Sequence, residues 1–199
     1  MLNHPLIDEV VPWLLGDNAH LHGYLANIAR PGNTPMPVHT DQLTVQPSIR
    51  DIPFGMNILW FLTDFTKEKG GTRLYPGSHR GNVAPKDPLD ISGSVAAEGP
   101  AGTALIYESR LWHTTGPNRD PNGAARPAII MVFMRSFVRQ QENFALSLRP
   151  EVAGKLSERH KRLLGLYSTD ALNGIDGDMS EGIYAEKKND CRGRNRVQL

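Results

Sequence analysis

His39-Thr40-Asp41 sets two metal-ligating side chains two residues apart, and a further histidine, His113, stands beside Trp112 far downstream. Two imidazoles and a carboxylate are the ligand set that grips one face of a ferrous ion and leaves the other positions open for oxygen chemistry. Arg126 follows His113 by thirteen residues, across Asn118-Arg-Asp-Pro-Asn-Gly, a turn-forming run that folds the next strand back alongside. A guanidinium returned to the metal suits 2-oxoglutarate, which would chelate iron through its keto oxygen and C1 carboxylate while its C5 carboxylate extends away. Arginine is the best bidentate fork for that carboxylate. Thr115 lies two residues beyond His113, so it shares the face of His113 if the strand continues and can donate its hydroxyl to the same group. The expected set is therefore Fe(II) on His39, Asp41 and His113, with 2-oxoglutarate as cosubstrate and O2 as oxidant.

These side chains need a scaffold of strands. Residues 20–148 alternate short β-type runs with turns rich in Pro, Gly and Asn, the pattern of a sandwich or barrel. The predicted strands are Leu21–Ala29, Pro37–Val45, Met56–Asp64, Thr72–Tyr75, Thr103–Tyr107, Leu111–Thr114 and Ala128–Val138. Within Pro37–Val45, residues i and i+2 project from one face, so His39 and Asp41 both point inward while Thr40 points away. Pro85–Gly102 has little periodicity and reads as a surface insertion. Residues 150–167 switch to helical spacing, with Val152, Leu156, Leu163 and Leu164 near one face and Pro150 suited to a first turn. The organisation expected is an oxygenase core over residues 1–149, a helical segment over 150–185 that packs on it, and a basic, mobile tail over 186–199.

Composition narrows the partners. Lys and Arg number 22 against 21 Asp and Glu, so no strong field favours nucleic acid or an anionic membrane, and the partner expected is a small-molecule substrate. Cys191 is the only cysteine, which excludes an intramolecular disulfide and a cysteine-based zinc cluster within one chain. The opening residues lack the basic and apolar regions of a leader, and the longest apolar run, Ala128–Met134, is too short to span a bilayer. A cytoplasmic protein is expected, and its oligomeric state is left open, a homodimer included.

Four segments together resemble the phytanoyl-CoA dioxygenase family of Fe(II)/2-oxoglutarate-dependent oxygenases. They are Arg30-Pro-Gly with His39-Thr-Asp41-Gln42; Leu59-Trp-Phe-Leu-Thr-Asp-Phe-Thr with Gly70-Gly-Thr and Pro76-Gly-Ser-His79-Arg; Leu111-Trp-His113-Thr-Thr115-Gly-Pro-Asn118; and Arg126-Pro-Ala. The resemblance implies a mainly β fold, a double-stranded β-helix or jelly-roll, with a few short flanking helices; the N-terminal helical region that family members carry ahead of it is expected to be shortened here, where some twenty residues precede the first predicted strand. It implies iron on His39, Asp41 and His113, 2-oxoglutarate anchored by Arg126 with help from Thr115, and Trp60 against the cosubstrate. It also implies that His79 shapes a turn and binds no iron. The family pattern often carries Gln three residues before the first ligand histidine, where this chain has Met36. The activity implied is hydroxylation or another oxidation of an aliphatic C–H in a small organic molecule, with release of succinate and CO2. Two other readings compete: a β-barrel binding protein that keeps the ligands without turnover, and a zinc hydrolase, in which Arg126 has no role. Because Asp41 occupies the carboxylate position, halogenation, which needs a small residue there, is disfavoured.

Overall fold

The computed structural model describes residues 1–46, 49, 51–81 and 86–167. Helix α1 (Pro5–Leu15) leads into β1 (His20–Ala29), a 3-10 helix (Asp41–Thr44), β2 (Gly55–Phe61), β3 (Arg73–Leu74) and α2 (Ser78–Gly81). Then come β4 (Val95–Ala96), β5 (Ala104–Glu108), β6 (His113–Thr114), β7 (Arg126–Met134) and the short helices α3 (Phe144–Ser147), α4 (Pro150–Ala153) and α5 (Glu158–Leu163). Among the described residues these strands form two sheets, one of four strands in the order β1-β7-β2-β5 and one of three in the order β4-β3-β6. The fold is mainly β and of the jelly-roll class.

Contacts divide the described residues into two compact units, one within Met1–His22 and Met134–Leu199, the other within Gly23–Phe133. In the first, α1 buries Ile7, Val11 and Leu15 at helical spacing. The Arg159 guanidinium grips Asp8 of α1 through two nitrogens, at 2.9 and 2.6 Å. Pro150 and Ser157 start α4 and α5, the proline inside a first turn and the serine hydroxyl accepting from the His160 amide. Residues 168–199 lie outside the described residues, and with them the predicted basic tail and the end of the helical segment.

The second unit is organised by β2, buried at every position. It pairs antiparallel with β5 in the register Asn57↔Tyr107, Leu59↔Leu105. Leu59 and Phe61 on one face of β2 gather with Phe65 and Ala128 into an apolar cluster, in which the Phe61 and Phe65 rings stack at 3.6 Å between centroids. Arg126 and Ala128 lie two residues apart on β7 and so share the face that meets this cluster.

The structure corrects several predicted strands. Pro37–Val45 is not one strand: His39 makes an isolated antiparallel bridge with His113, and the chain then turns into the 3-10 helix. The cause is Gln42. Its buried side-chain amide donates to the carbonyls of Ile49 and Ile52 and accepts from the Phe54 amide and the Ser109 hydroxyl, bonds that a continuing strand could not make. Strand β7 starts at Arg126, two residues earlier than Ala128, which places the arginine inside the sheet. The Pro85–Gly102 segment is not plain loop, since it holds β4 and the Phe65↔Gly99 bridge; Pro85 itself lies outside the described residues. The glycines of Gly70-Gly71 and Gly116 permit a backbone approach that no side chain would allow. A Cβ on Gly116 would stand 2.5 Å from the Gly71 carbonyl oxygen, and one on Gly71 would stand 2.5 Å from that of Ala97.

Candidate metal centre

His39 and His113 are locked to each other through the main chain. Each amide donates to the other's carbonyl, at 3.0 and 2.9 Å, and the two rings stand 4.4 Å apart between centroids. Each imidazole also places Nδ1 2.9 Å from a carbonyl two residues upstream, Pro37 for His39 and Leu111 for His113. A carbonyl only accepts, so Nδ1 carries the proton and Nε2 keeps its lone pair for a metal.

Asp41 completes the group. Its Oδ1 is 3.7 Å from His39 Nε2 and its Oδ2 is 3.7 Å from His113 Nε2, and ligand atoms of all three residues lie within 4.8 Å of one another. Among the described residues, this trio is the cluster of His, Cys, Asp and Glu side chains able to hold a metal. His113 is buried while His39 and Asp41 are half-buried, so the cluster is closed on one side and reachable on the other. Burial pushes the His113 imidazole below its usual range, against the pull of Asp41, which favours the neutral form that ligates. The donor set, two lone-pair imidazoles and a carboxylate, fits Fe(II).

Arg126 lies in the same unit and is fully buried. Its Nη2 donates to Asn27 Oδ1 at 2.9 Å, and its guanidinium carbon sits 4.4 Å above the Phe65 ring. Its Nε and Nη1 have no hydrogen-bond partner. Burial lowers its pKa to about 10, so it remains a cation at neutral pH with N–H groups waiting for an acceptor. Such donors are rare in folded proteins because each costs about 1–3 kcal/mol. A ligand carboxylate would satisfy them, which is the fit expected for the far end of 2-oxoglutarate.

Thr115 joins the same network by an indirect route. Its hydroxyl oxygen accepts from Asn27 Nδ2 at 3.1 Å, so Asn27 bridges Thr115 and Arg126 with the two ends of one amide. The structure does not bring Trp60 to the metal ligands. Its indole N–H donates to Met131 Sδ at 3.3 Å, and as it stands three residues from Asn57, whose side chain reaches Asp41, strand alternation puts it on the opposite face. Its place is in the sheet, a role an aromatic residue fills by burial alone.

Sequence reasoning missed Asn27, Asn57, Tyr107 and Ser109, and left Gln42 without a role. Asn57 Nδ2 donates to Asp41 Oδ2 at 2.5 Å. Tyr107, paired with Asn57 across the strands, packs edge-on against His113 at 4.8 Å, and burial, reinforced by Asp41, raises its phenol well above the ordinary range. Ser109 accepts from the Gly55 amide while donating to Gln42. One signal was present for Asn57: a lone amide inside the apolar run Met56–Phe61 has to be hydrogen-bonded when buried.

Residues 2–127 match the family model described as Phytanoyl-CoA dioxygenase (PhyH). Dioxygenase af480 of Aspergillus fumigatus is 33% identical over 169 residues, which cover 83% of this chain and 54% of that protein. Dioxygenase aneA of Aspergillus aculeatus is 30% identical over 154 residues, covering 72% of this chain and 51% of that one. The chain thus spans about half the length of these relatives. Among solved structures, the non-haem monooxygenase ThoJ in its apo form superposes with a TM-score of 0.56 at 19% identity, covering 80% of this chain and 72% of that chain; at that identity the likeness speaks for the fold. With the family model spanning well over half of its residues, the chain belongs to the phytanoyl-CoA dioxygenase family.

Proposed function

We propose that this chain is an Fe(II)- and 2-oxoglutarate-dependent oxygenase that oxidises an aliphatic C–H bond of a small organic molecule, releasing succinate and CO2. The observation that carries the reading is Arg126: a buried cation with unpartnered N–H groups on Nε and Nη1, in the same unit as a His-Asp-His cluster. A metal site alone would serve hydrolysis equally well. A buried, unsatisfied guanidinium is explained by an anionic cosubstrate.

Bound Fe(II) with 2-oxoglutarate and O2 supplies the oxidising chemistry. The protein's own residues place and protect it. His39, Asp41 and His113 would hold the metal by one face. Arg126 would hold the far carboxylate, while Asn27 keeps both Arg126 and Thr115 oriented toward it. Met36 and Leu43 are exposed apolar side chains within three residues of His39 or Asp41, which is consistent with an apolar substrate.

Anaerobic addition of Fe(II) and 2-oxoglutarate should give a weak visible metal-to-ligand charge-transfer band, and admission of O2 should release succinate. His113→Ala should abolish iron binding. Metal and cosubstrate binding without succinate would make the chain a non-catalytic binding module, and hydrolytic activity with zinc but no 2-oxoglutarate binding would overturn the reading altogether.

A further inference from the structure

Tyr107 is 7% exposed and lies in β5 directly across from Asn57. Opposed residues of an antiparallel pair share a face of the sheet. Asn57 on that face reaches Asp41, and the Tyr107 ring packs edge-on against His113, 4.8 Å between centroids. The phenol therefore stands against the metal cluster.

Among the described residues nothing holds its hydroxyl. Burial and then the charge of Asp41 raise its ionisation, with no hydrogen bond contributing. Nor is the hydroxyl one of the buried polar atoms sealed off without a partner, a group that includes Trp112 Nε1 and Arg126 Nε. A buried tyrosine hydroxyl usually finds a partner. Here the ring is enclosed while the hydroxyl opens onto accessible space within reach of the Asp41 charge.

Depth decides which ligand would use that donor. His113, the residue the ring packs on, is 6% exposed, whereas His39 and Asp41 are half-buried and form the reachable side of the cluster. The organic substrate has to arrive from the reachable side. The cosubstrate belongs deeper, since Arg126, which would anchor its far carboxylate, is 0% exposed. Its metal-binding end is also a carboxylate, and a neutral hydroxyl can donate to that group without bringing in another charge. We infer that Tyr107 is a cosubstrate-binding residue whose hydroxyl donates to the metal-binding end of 2-oxoglutarate, the end opposite Arg126. This role rests on the function proposed above. The strand leaves the side chain little freedom to do otherwise, because β5 is paired with β2 on both sides of it, from Met56↔Glu108 to Trp60↔Ala104.

The test compares the native protein with Tyr107→Phe, which keeps the ring on His113 and removes only the hydroxyl, both loaded anaerobically with Fe(II). On iron-saturated protein, 2-oxoglutarate should bind about tenfold more weakly to Tyr107→Phe, the loss of one hydrogen bond to a charged acceptor. Its metal-to-ligand charge-transfer band should move to shorter wavelength, because losing a donor raises the acceptor orbital of the 2-oxo acid. Fe(II) affinity should stay at the native value. Pyruvate, which keeps the 2-oxo carboxylate and lacks the far one, should lose affinity by the same factor. In native protein loaded with Zn(II), adding 2-oxoglutarate should give a tyrosine ultraviolet difference spectrum; its absence from protein that binds the cosubstrate overturns the inference whether or not the variant folds. Equal affinities and an unmoved band overturn it too, leaving the hydroxyl to the substrate side. So does a variant weakened toward 2-oxoglutarate but not toward pyruvate, which would put the contact at the far carboxylate, and so does one that loses iron, which would make the ring a prop for His113. Native protein that takes up iron and binds neither acid refutes the proposed function, and this role with it.

Discussion

Replacing Arg126 by methionine separates a ligand-binding arginine from a structural one, because the two roles move stability in opposite directions. Removing one partner of a well-satisfied buried ion pair ordinarily costs about 3–5 kcal/mol. Arg126 is not in that situation. It is 0% exposed, and Nε and Nη1 together carry three N–H groups without an acceptor. Burial lowers its pKa to about 10, and at about 1.4 kcal/mol per unit the buried charge costs on the order of 3 kcal/mol. Methionine removes that cost and keeps an unbranched side chain over Phe65. It forfeits the cation–π contact at 4.4 Å and the Asn27 hydrogen bond at 2.9 Å, together worth about 1–3 kcal/mol. The terms nearly cancel, so the ligand-free variant should match the native protein or exceed it by up to about 2 kcal/mol in urea denaturation. Cosubstrate binding should suffer instead. A charge-assisted hydrogen bond is worth about 1.5–3 kcal/mol, which is roughly 10–150-fold in Kd. At a 2-oxoglutarate concentration of about 100 times the native Kd, with Fe(II) present anaerobically, the native protein should gain about 2.7 kcal/mol. A variant weakened thirtyfold should gain only about 0.9 kcal/mol. A variant that loses about 3–5 kcal/mol without ligand, yet gains as much from 2-oxoglutarate as the native chain, would refute the assignment and make Arg126 a structural cation.

Two more expectations bear on the scaffold. His20 is buried and its pKa falls from 6.5 to about 4, chiefly through burial and then through the nearby His22; its stabilising neutral form is fully present above about pH 6.5 and is lost as pH falls towards 4, when the unfolded chain binds the proton first. The contribution is on the order of 3 kcal/mol, so urea denaturation between pH 7 and pH 4 should show a decline that His20→Phe reduces, and an equal decline in both proteins would refute it. Gly116→Ala should cost about 1–3 kcal/mol, because the new Cβ meets the Gly71 carbonyl oxygen at 2.5 Å; an unchanged urea midpoint would show that this backbone approach is not tight.

What the sequence made legible follows from what each residue must be. A candidate metal ligand here has to be His or a carboxylate and a candidate carboxylate anchor has to be a cation, so the cluster of His39, Asp41 and His113 and the buried Arg126 could be singled out by type and spacing. The residues that deliver them carry no such demand. Gln42 is one glutamine among others until its amide is seen to join Ile49, Ile52, Phe54 and Ser109, and Asn27 is an ordinary strand residue until it bridges Thr115 and Arg126. Trp60 shows a different failure. Resemblance supplied its role, but parity along β2 argues against it, since a strand that turns Asn57 toward Asp41 turns Trp60 away. Pairing partners such as Tyr107 with Asn57 depend on register, which the short runs and variable turns of this chain do not specify.

The predicted strand through Pro37–Val45 ends early, and where it ends bears on the site itself. Thr40 keeps extended geometry, with φ −120° and ψ 145°, so Asp41 follows His39 at strand spacing, about 6.6 Å along the chain, and on the same face. His113 is fixed opposite His39 by their mutual backbone hydrogen bonds at 3.0 and 2.9 Å, and the Asp41 carboxylate reaches to 3.7 Å from each Nε2. The turn into the 3-10 helix begins at Asp41; Gln42, the next residue, is tied to the Phe54 amide, and Asn57 donates to the carboxylate. The cluster is therefore set while the chain is still extended: the bridge with His113 places the two imidazoles, strand alternation places the carboxylate, and the strand ends there.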